Sequence, residues 1–94
     1  MRTDEVDLIK PGCLLRIRDG GKYKYPITPV VQAEGNTQFP TDLTDGDAFV
    51  VLGVDQVRKV HDYIWLMVMM LASSGDKCWI SFVAENVELV EQER

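Results

Sequence analysis

His61 is the one histidine in this chain, and Asp62 follows it. A general base beside an orienting carboxylate is a starting point for nucleophilic catalysis, with Ser73, Ser74, Ser81, Cys13 or Cys78 as candidate nucleophiles. Adjacent residues of an extended strand point to opposite faces, however, so His61 and Asp62 would not act together there. A nucleophile would have to be carried to His61 by folding. The expectation is a surface histidine in a protein that binds rather than catalyses, because the acid–base inventory is thin.

Metal chemistry fares no better. Cys13 and Cys78 are far apart and match no ligand spacing. Asp42, Asp45 and Asp47 stand close together but lack the calcium-loop pattern, and they read as turn residues that cap backbone groups. Gly20-Gly21 reads as a turn, because no strand–GxGxxG–helix context surrounds it. No metal and no cofactor is expected.

Two surfaces do carry binding chemistry. From Lys10 to Lys24 the chain places Lys10, Arg16, Arg18, Lys22 and Lys24 against a single acid, Asp19, with Tyr23 and Tyr25 interleaved. Arg16 and Arg18 would share a strand face. With Lys22, Tyr23 and Lys24 they form a candidate site for an anionic ligand, by charge-assisted hydrogen bonds and stacking. The competing reading is a solvated strand face balanced by acids elsewhere. The second surface is the run Tyr63 to Leu71. As a strand it presents Tyr63, Trp65, Met67, Met69 and Leu71 on one face and Ile64, Leu66, Val68 and Met70 on the other. A small barrel has a core on one side only. The remaining apolar face must be covered by the chain's own loop or by a partner, and Trp and Met suit an interface.

The elements that position these residues follow from turn signals and alternation. Lys10-Pro11-Gly12 breaks the chain before a half-buried strand, Cys13 to Arg18, which ends at Asp19-Gly20-Gly21. Lys22 to Asp47 holds Pro26, Pro29 and Pro40 and keeps no regular period, which points to a long functional loop with at most a short extended piece at Val30-Val31-Gln32-Ala33. Ala48 to Val54 is an apolar, β-branched strand. Asp55 to Asp62 is a loop or the continuation of a hairpin. Tyr63 to Ala72 is read as a strand on its aromatic and β-branched content, although its methionines favour helix. Ser73-Ser74-Gly75-Asp76 turns it into the next strand, Lys77 to Val83. Ala84-Glu85-Asn86 reads as one 3₁₀ turn, and Val87 to Glu91 as a last edge strand whose Glu88 and Glu91 discourage pairing with other chains.

The 94 residues suit one domain. A formal net charge of −5 repels nucleic acid at long range, so a nucleic-acid partner is disfavoured. The nine-residue apolar run Ile64–Ala72 is too short to span a membrane as a helix, which needs about 20 residues. The acidic start Met1 to Asp7 lacks the basic and apolar character of a secretory signal. A cytoplasmic protein with reduced thiols is expected.

Three segments carry a family resemblance. Pro11-Gly12-Cys13-Leu14-Leu15-Arg16-Ile17 looks like the first strand of SH3-like barrels, and Gly46-Asp47-Ala48-Phe49-Val50-Val51-Leu52 like the second, after its diverging turn. Gly75-Asp76-Lys77-Cys78-Trp79-Ile80, closing with Glu85-Asn86-Val87-Glu88-Leu89, resembles the glycine–x–x–x–Trp–Ile … Leu ending of bacterial SH3-type barrels. The resemblance spans Ile9 to Val90. It implies a mostly β fold, an SH3-like five-stranded small barrel with a long first loop, over 9–91 after a flexible lead 1–8. The long loop has no acidic run facing an aromatic pair, so proline-rich peptide recognition does not carry over. The chain also resembles small accessory proteins of bacteriophages, which implies a non-enzymatic interaction module that engages or inhibits a host protein, or self-associates, through the Trp65/Met67/Met69 face. The alternative is a homo-oligomer that binds a nucleotide or other anionic small ligand between subunits.

Overall fold

A computed structural model describes residues 3–30, 42–72 and 75–90. Period-two burial organises them into seven strands: β1 (Leu14–Ile17), β2 (Tyr25–Pro29), β3 (Asp42–Leu43), β4 (Ala48–Val60), β5 (Tyr63–Leu71), β6 (Lys77–Val83) and β7 (Val87–Leu89). All pair antiparallel in one curled half-barrel sheet of order β3-β2-β6-β5-β4-β1-β7. The mostly β expectation is met. The strand count is seven where five were expected, because two strands lie in the stretch read as a loop.

Those two strands explain the misreading. In β2, Tyr25 and Ile27 are buried while Pro26 and Thr28 are exposed, an alternation that Pro26 and Pro29 obscure in the sequence. Proline is tolerated there because β2 lies next to the sheet's end, with β6 on one side and only the two-residue β3 on the other, so few ladder donors are missed. Val31, Gln32 and Ala33 lie outside the described residues, as do Ser73, Ser74 and Glu91. Tyr63–Leu71 is a strand, paired on one side with β4 and on the other with β6. Asp55 to Val60 continues the hairpin, and His61-Asp62 makes its two-residue turn, with His61 at a positive φ of 54°. Thr3–Leu8, expected as a loose lead, is a 3₁₀ helix (η1) whose Val6 packs against the core. Ala84–Asn86 is the expected 3₁₀ turn (η2).

The core lies inside the curl. Leu15, Ile17, Val51, Leu66, Val68, Ile80 and Phe82 are almost fully buried, and Phe49 meets Phe82 edge-to-face at 5.8 Å between ring centroids. Such a contact adds to the area these rings bury. Two irregularities in β4, between Val51 and Gly53 and between Val54 and Gln56, insert extra residues opposite β5 and bend the strand. Cys78 is buried and Cys13 half-buried, both as free thiols. Burial, reinforced by Asp76, raises the Cys78 thiol above its ordinary range.

The two faces of the sheet carry unequal weight. Phe82→Ala removes a fully buried ring and should cost about 3–5 kcal/mol of unfolding free energy, whereas Trp65→Ala, on the half-exposed outer face, should leave the denaturation midpoint nearly unchanged. Chemical denaturation followed by circular dichroism measures both.

Candidate functional site

Short-range hydrogen bonds build the site's rim. Gly20 and Gly21 take φ of 71° and 79°, a left-handed backbone open to glycine, and so turn the chain sharply after β1. The Asp45 carboxylate then clamps that turn: its Oδ1 accepts the backbone N–H of Asp19 at 2.9 Å and of Gly20 at 3.0 Å. Asp47 accepts the Thr44 N–H at 2.8 Å and holds the 44–47 turn that presents Asp45. These acids therefore cap backbone groups, and among the described residues no group of three or more potential ligands could hold a metal ion.

Once clamped, the segment 18–26 faces the outer side of β5 and β6. Between them lies a cleft of about 800 Å³, lined by Lys22, Tyr23, Lys24 and Tyr25 on one side and by Tyr63, Trp65, Ser81 and Val83 on the other. Arg18, Lys22, Tyr23 and Lys24 from one of the two sequence-assigned surfaces and Tyr63 and Trp65 from the other thus share one cleft, whereas Arg16, Met67, Met69 and Leu71 do not line it. Tyr23, Tyr63 and Trp65 are 55%, 49% and 42% exposed, which leaves three ring faces open to a ligand. Trp65 also lines a smaller neighbouring hollow of about 290 Å³ with Gln56, Arg58 and Met67. Met67 and Met69 are half-buried on the same outer face, and Leu71 is exposed at its far end.

The basic residues divide into two groups. Arg18 Nε donates to Glu88 Oε1 at 2.8 Å, and Arg16 Nη1 reaches the same oxygen at 3.5 Å. The Glu88 hydrogen bond, and then its charge, raise the Arg18 pKa further above its ordinary value. Arg16 lies outside the cleft, while Arg18 lines it together with the acids Asp19 and Glu85. Both guanidinium groups are engaged by an internal carboxylate, a partner the sequence could not reveal because Glu88 is distant along the chain. Lys22 and Lys24 are exposed and form no ion pair with any described residue.

Sequence reasoning passed over the floor of the cleft. Asn86 donates to the Tyr25 hydroxyl at 2.8 Å, and Tyr25 packs edge-on against Tyr23 at 6.5 Å. Buried Asp19 accepts the Gly21 N–H at 2.8 Å through Oδ1. The Tyr25 hydroxyl is near enough for the Asp19 carboxylate to oppose its ionisation, yet no hydrogen bond of good geometry to a described residue reaches Asp19 Oδ2. Burial, the largest cause, and Asp19 together push Tyr25 up to about 12, against the opposing effect of Asn86. His61 is exposed in the β4–β5 turn, and of the serine and cysteine candidates among the described residues Ser81 lines the cleft while Cys13 and Cys78 do not.

Two outcomes follow from this network. Asp45→Ala removes the acceptor of two backbone N–H groups and should cost about 1–3 kcal/mol, with faster amide hydrogen exchange at Asp19 and Gly20. In a phenolate absorbance titration, one tyrosine should ionise near pH 12 and vanish from the curve in Tyr25→Phe. Because the folded state holds the Tyr25 proton more tightly than the unfolded chain, stability is full below the ordinary tyrosine pKa and falls as pH rises from about 10 to about 12.

Comparison with protein-family models, curated proteins and solved structures found no match for this chain.

Proposed function

We propose that this chain is a non-enzymatic protein-interaction module, in the manner of SH3-like domains, that takes up a segment of another protein in the cleft between residues 18–26 and the outer face of β5 and β6. One observation carries this reading: three exposed aromatic rings, Tyr23, Tyr63 and Trp65, converge on one cleft whose lining holds two lysines that form no ion pair among the described residues. Aromatic side chains supply large contact area at low entropic cost and dominate binding hot spots. The lysines add steering and register for acidic groups. The favoured ligand is therefore an extended segment with an apolar or aromatic anchor and an acidic flank. In a bacteriophage accessory protein, that segment would belong to a host protein.

A nucleotide or other small anion could use Lys22, Tyr23 and Lys24 in the same cleft. That alternative loses support from Arg16 and Arg18, which already donate to Glu88. Selection of a random peptide library on the immobilised protein separates the two readings. Enriched peptides should pair an apolar anchor with Asp or Glu. Their affinity should fall at least about tenfold, roughly 1.4 kcal/mol, in Trp65→Ala, and rise in sensitivity to salt with Lys22 and Lys24 intact. Enrichment that ignores Trp65, or no enrichment together with nucleoside-phosphate binding at Lys22 and Lys24, would overturn the proposal.

A further inference from the structure

The β4–β5 hairpin outruns the rest of the sheet. β4 has 13 residues, but β1 has only four and pairs with it at Ala48, Phe49 and Val50 alone. Pro11, which has no N–H to donate, and the turn at Gly12 end β1's side of the ladder just beyond Val51, where the Gly12 N–H reaches the Val51 carbonyl at 2.7 Å. Val54 to Val60 therefore have β5 on one side and no described strand on the other, and every one of them is exposed. Val57, at 55%, is as exposed as any large apolar side chain among the described residues.

Such an edge invites pairing unless charge or irregularity blunts it. Asp55 sits in an irregularity, and Arg58 and Lys59 bring charge, but the order of these charges decides their effect. Read about Val57, the segment Val-Asp-Gln-Val-Arg-Lys-Val is complementary to its own reverse. An antiparallel copy centred there places Val57 against Val57, Gln56 against Arg58 and Asp55 against Lys59, twice over by symmetry. Moving the centre to Arg58 sets arginine against arginine; moving it to Gln56 sets Asp55 against Val57. None of Asp55, Arg58 and Lys59 has an ion-pair partner among the described residues. We infer that the free edge of β4 is the contact of a two-fold homodimer, in which the strands of two copies pair antiparallel about Val57 with reciprocal Asp55–Lys59 ion pairs. A two-fold axis makes one self-complementary patch serve both subunits, and cross-strand opposite charges favour the register.

The test is the solution mass of the full chain by light scattering over a dilution series. The natural sequence should form a dimer that dissociates on dilution. Asp55→Lys or Lys59→Asp each creates two like-charge contacts and should weaken the dimer at least about tenfold. The double variant Asp55→Lys/Lys59→Asp restores both pairs and should recover most of the affinity. Gln56→Glu, facing Arg58, should tighten it. Far-ultraviolet circular dichroism confirms that each variant is folded, and Gln56→Glu keeps the proposal testable should a charge reversal unfold the chain. A monomer at every concentration, a dimer indifferent to the single reversals, or a double variant as weak as the singles would overturn the inference. So would a dimer lost in Trp65→Ala alone, which would place the contact on the outer face.

Discussion

β5 carries apolar side chains on both faces, and a single-layer sheet can bury only one of them. Its inner residues Leu66, Val68 and Met70 are sealed by β6 residues such as Ile80 and Phe82 and by Leu15, Ile17 and Val51 inside the curl. The outer residues meet cross-strand neighbours instead: Trp79 beside Met69, Ser81 beside Met67, and Arg58 and Val83 beside Trp65. Met67 and Met69 in mid-strand are half-buried, while Tyr63 and Trp65 toward the hairpin turn and Leu71 at the far end remain open. The cleft lies toward the turn, where the segment 18–26 stands beside Tyr63 and Trp65.

That segment is fixed at one end by buried Tyr25 and at the other by local hydrogen bonds. Two glycines in left-handed conformations leave the turn without side-chain cover, and its N–H groups need acceptors. Asp45 supplies them from the 44–47 turn, and the same two stretches are tied by backbone bonds, the Ile17 N–H donating to the Asp47 carbonyl at 2.9 Å and the Gly46 N–H to the Ile17 carbonyl at 2.8 Å. Glu88 on β7 gathers Arg16 and Arg18 at the other side. These ion pairs are solvent-exposed and contribute little stability. Their effect is on charge: one carboxylate, shared between two guanidinium groups, offsets one of their two positive charges, and the other charged residues of the cleft are Lys22 and Lys24 with Asp19 and Glu85.

β1 was legible by its alternation, the first half of β4 by its apolar, β-branched run, and β5 and β6 by their aromatic and β-branched content and the turn between them, although the methionines of β5 left a helix signal in the sequence. The two-faced character of Tyr63 to Leu71 was legible because the run is apolar throughout. β2 was not, since Pro26 and Pro29 carry a loop signal that only its position near the sheet's end overrides. The pairing of Arg16 and Arg18 with Glu88 depends on β1 and β7 becoming neighbours, a fact of topology that no local spacing contains. The meeting of the basic segment with Trp65 and Tyr63 is of the same kind. The residue types were readable, and their convergence was a property of the curl.

The sheet ends are managed differently from its middle. β3 and β7, at the two ends, have only two and three residues, and β7 bears Glu88; short charged edges of this kind resist adventitious pairing. The distal half of β4 follows no such economy, with seven exposed residues and three exposed valines, Val54, Val57 and Val60. It is also mechanically joined to the cleft, because Arg58 stands directly across the ladder from Trp65 and Val60 across from Tyr63. The backbone rungs that present the open aromatic rings are those that present the edge left without a neighbouring strand among the described residues. A contact that rigidifies β4 from its outer side would therefore also hold Trp65 and Tyr63 in place, reducing the conformational entropy that a ligand in the cleft must overcome.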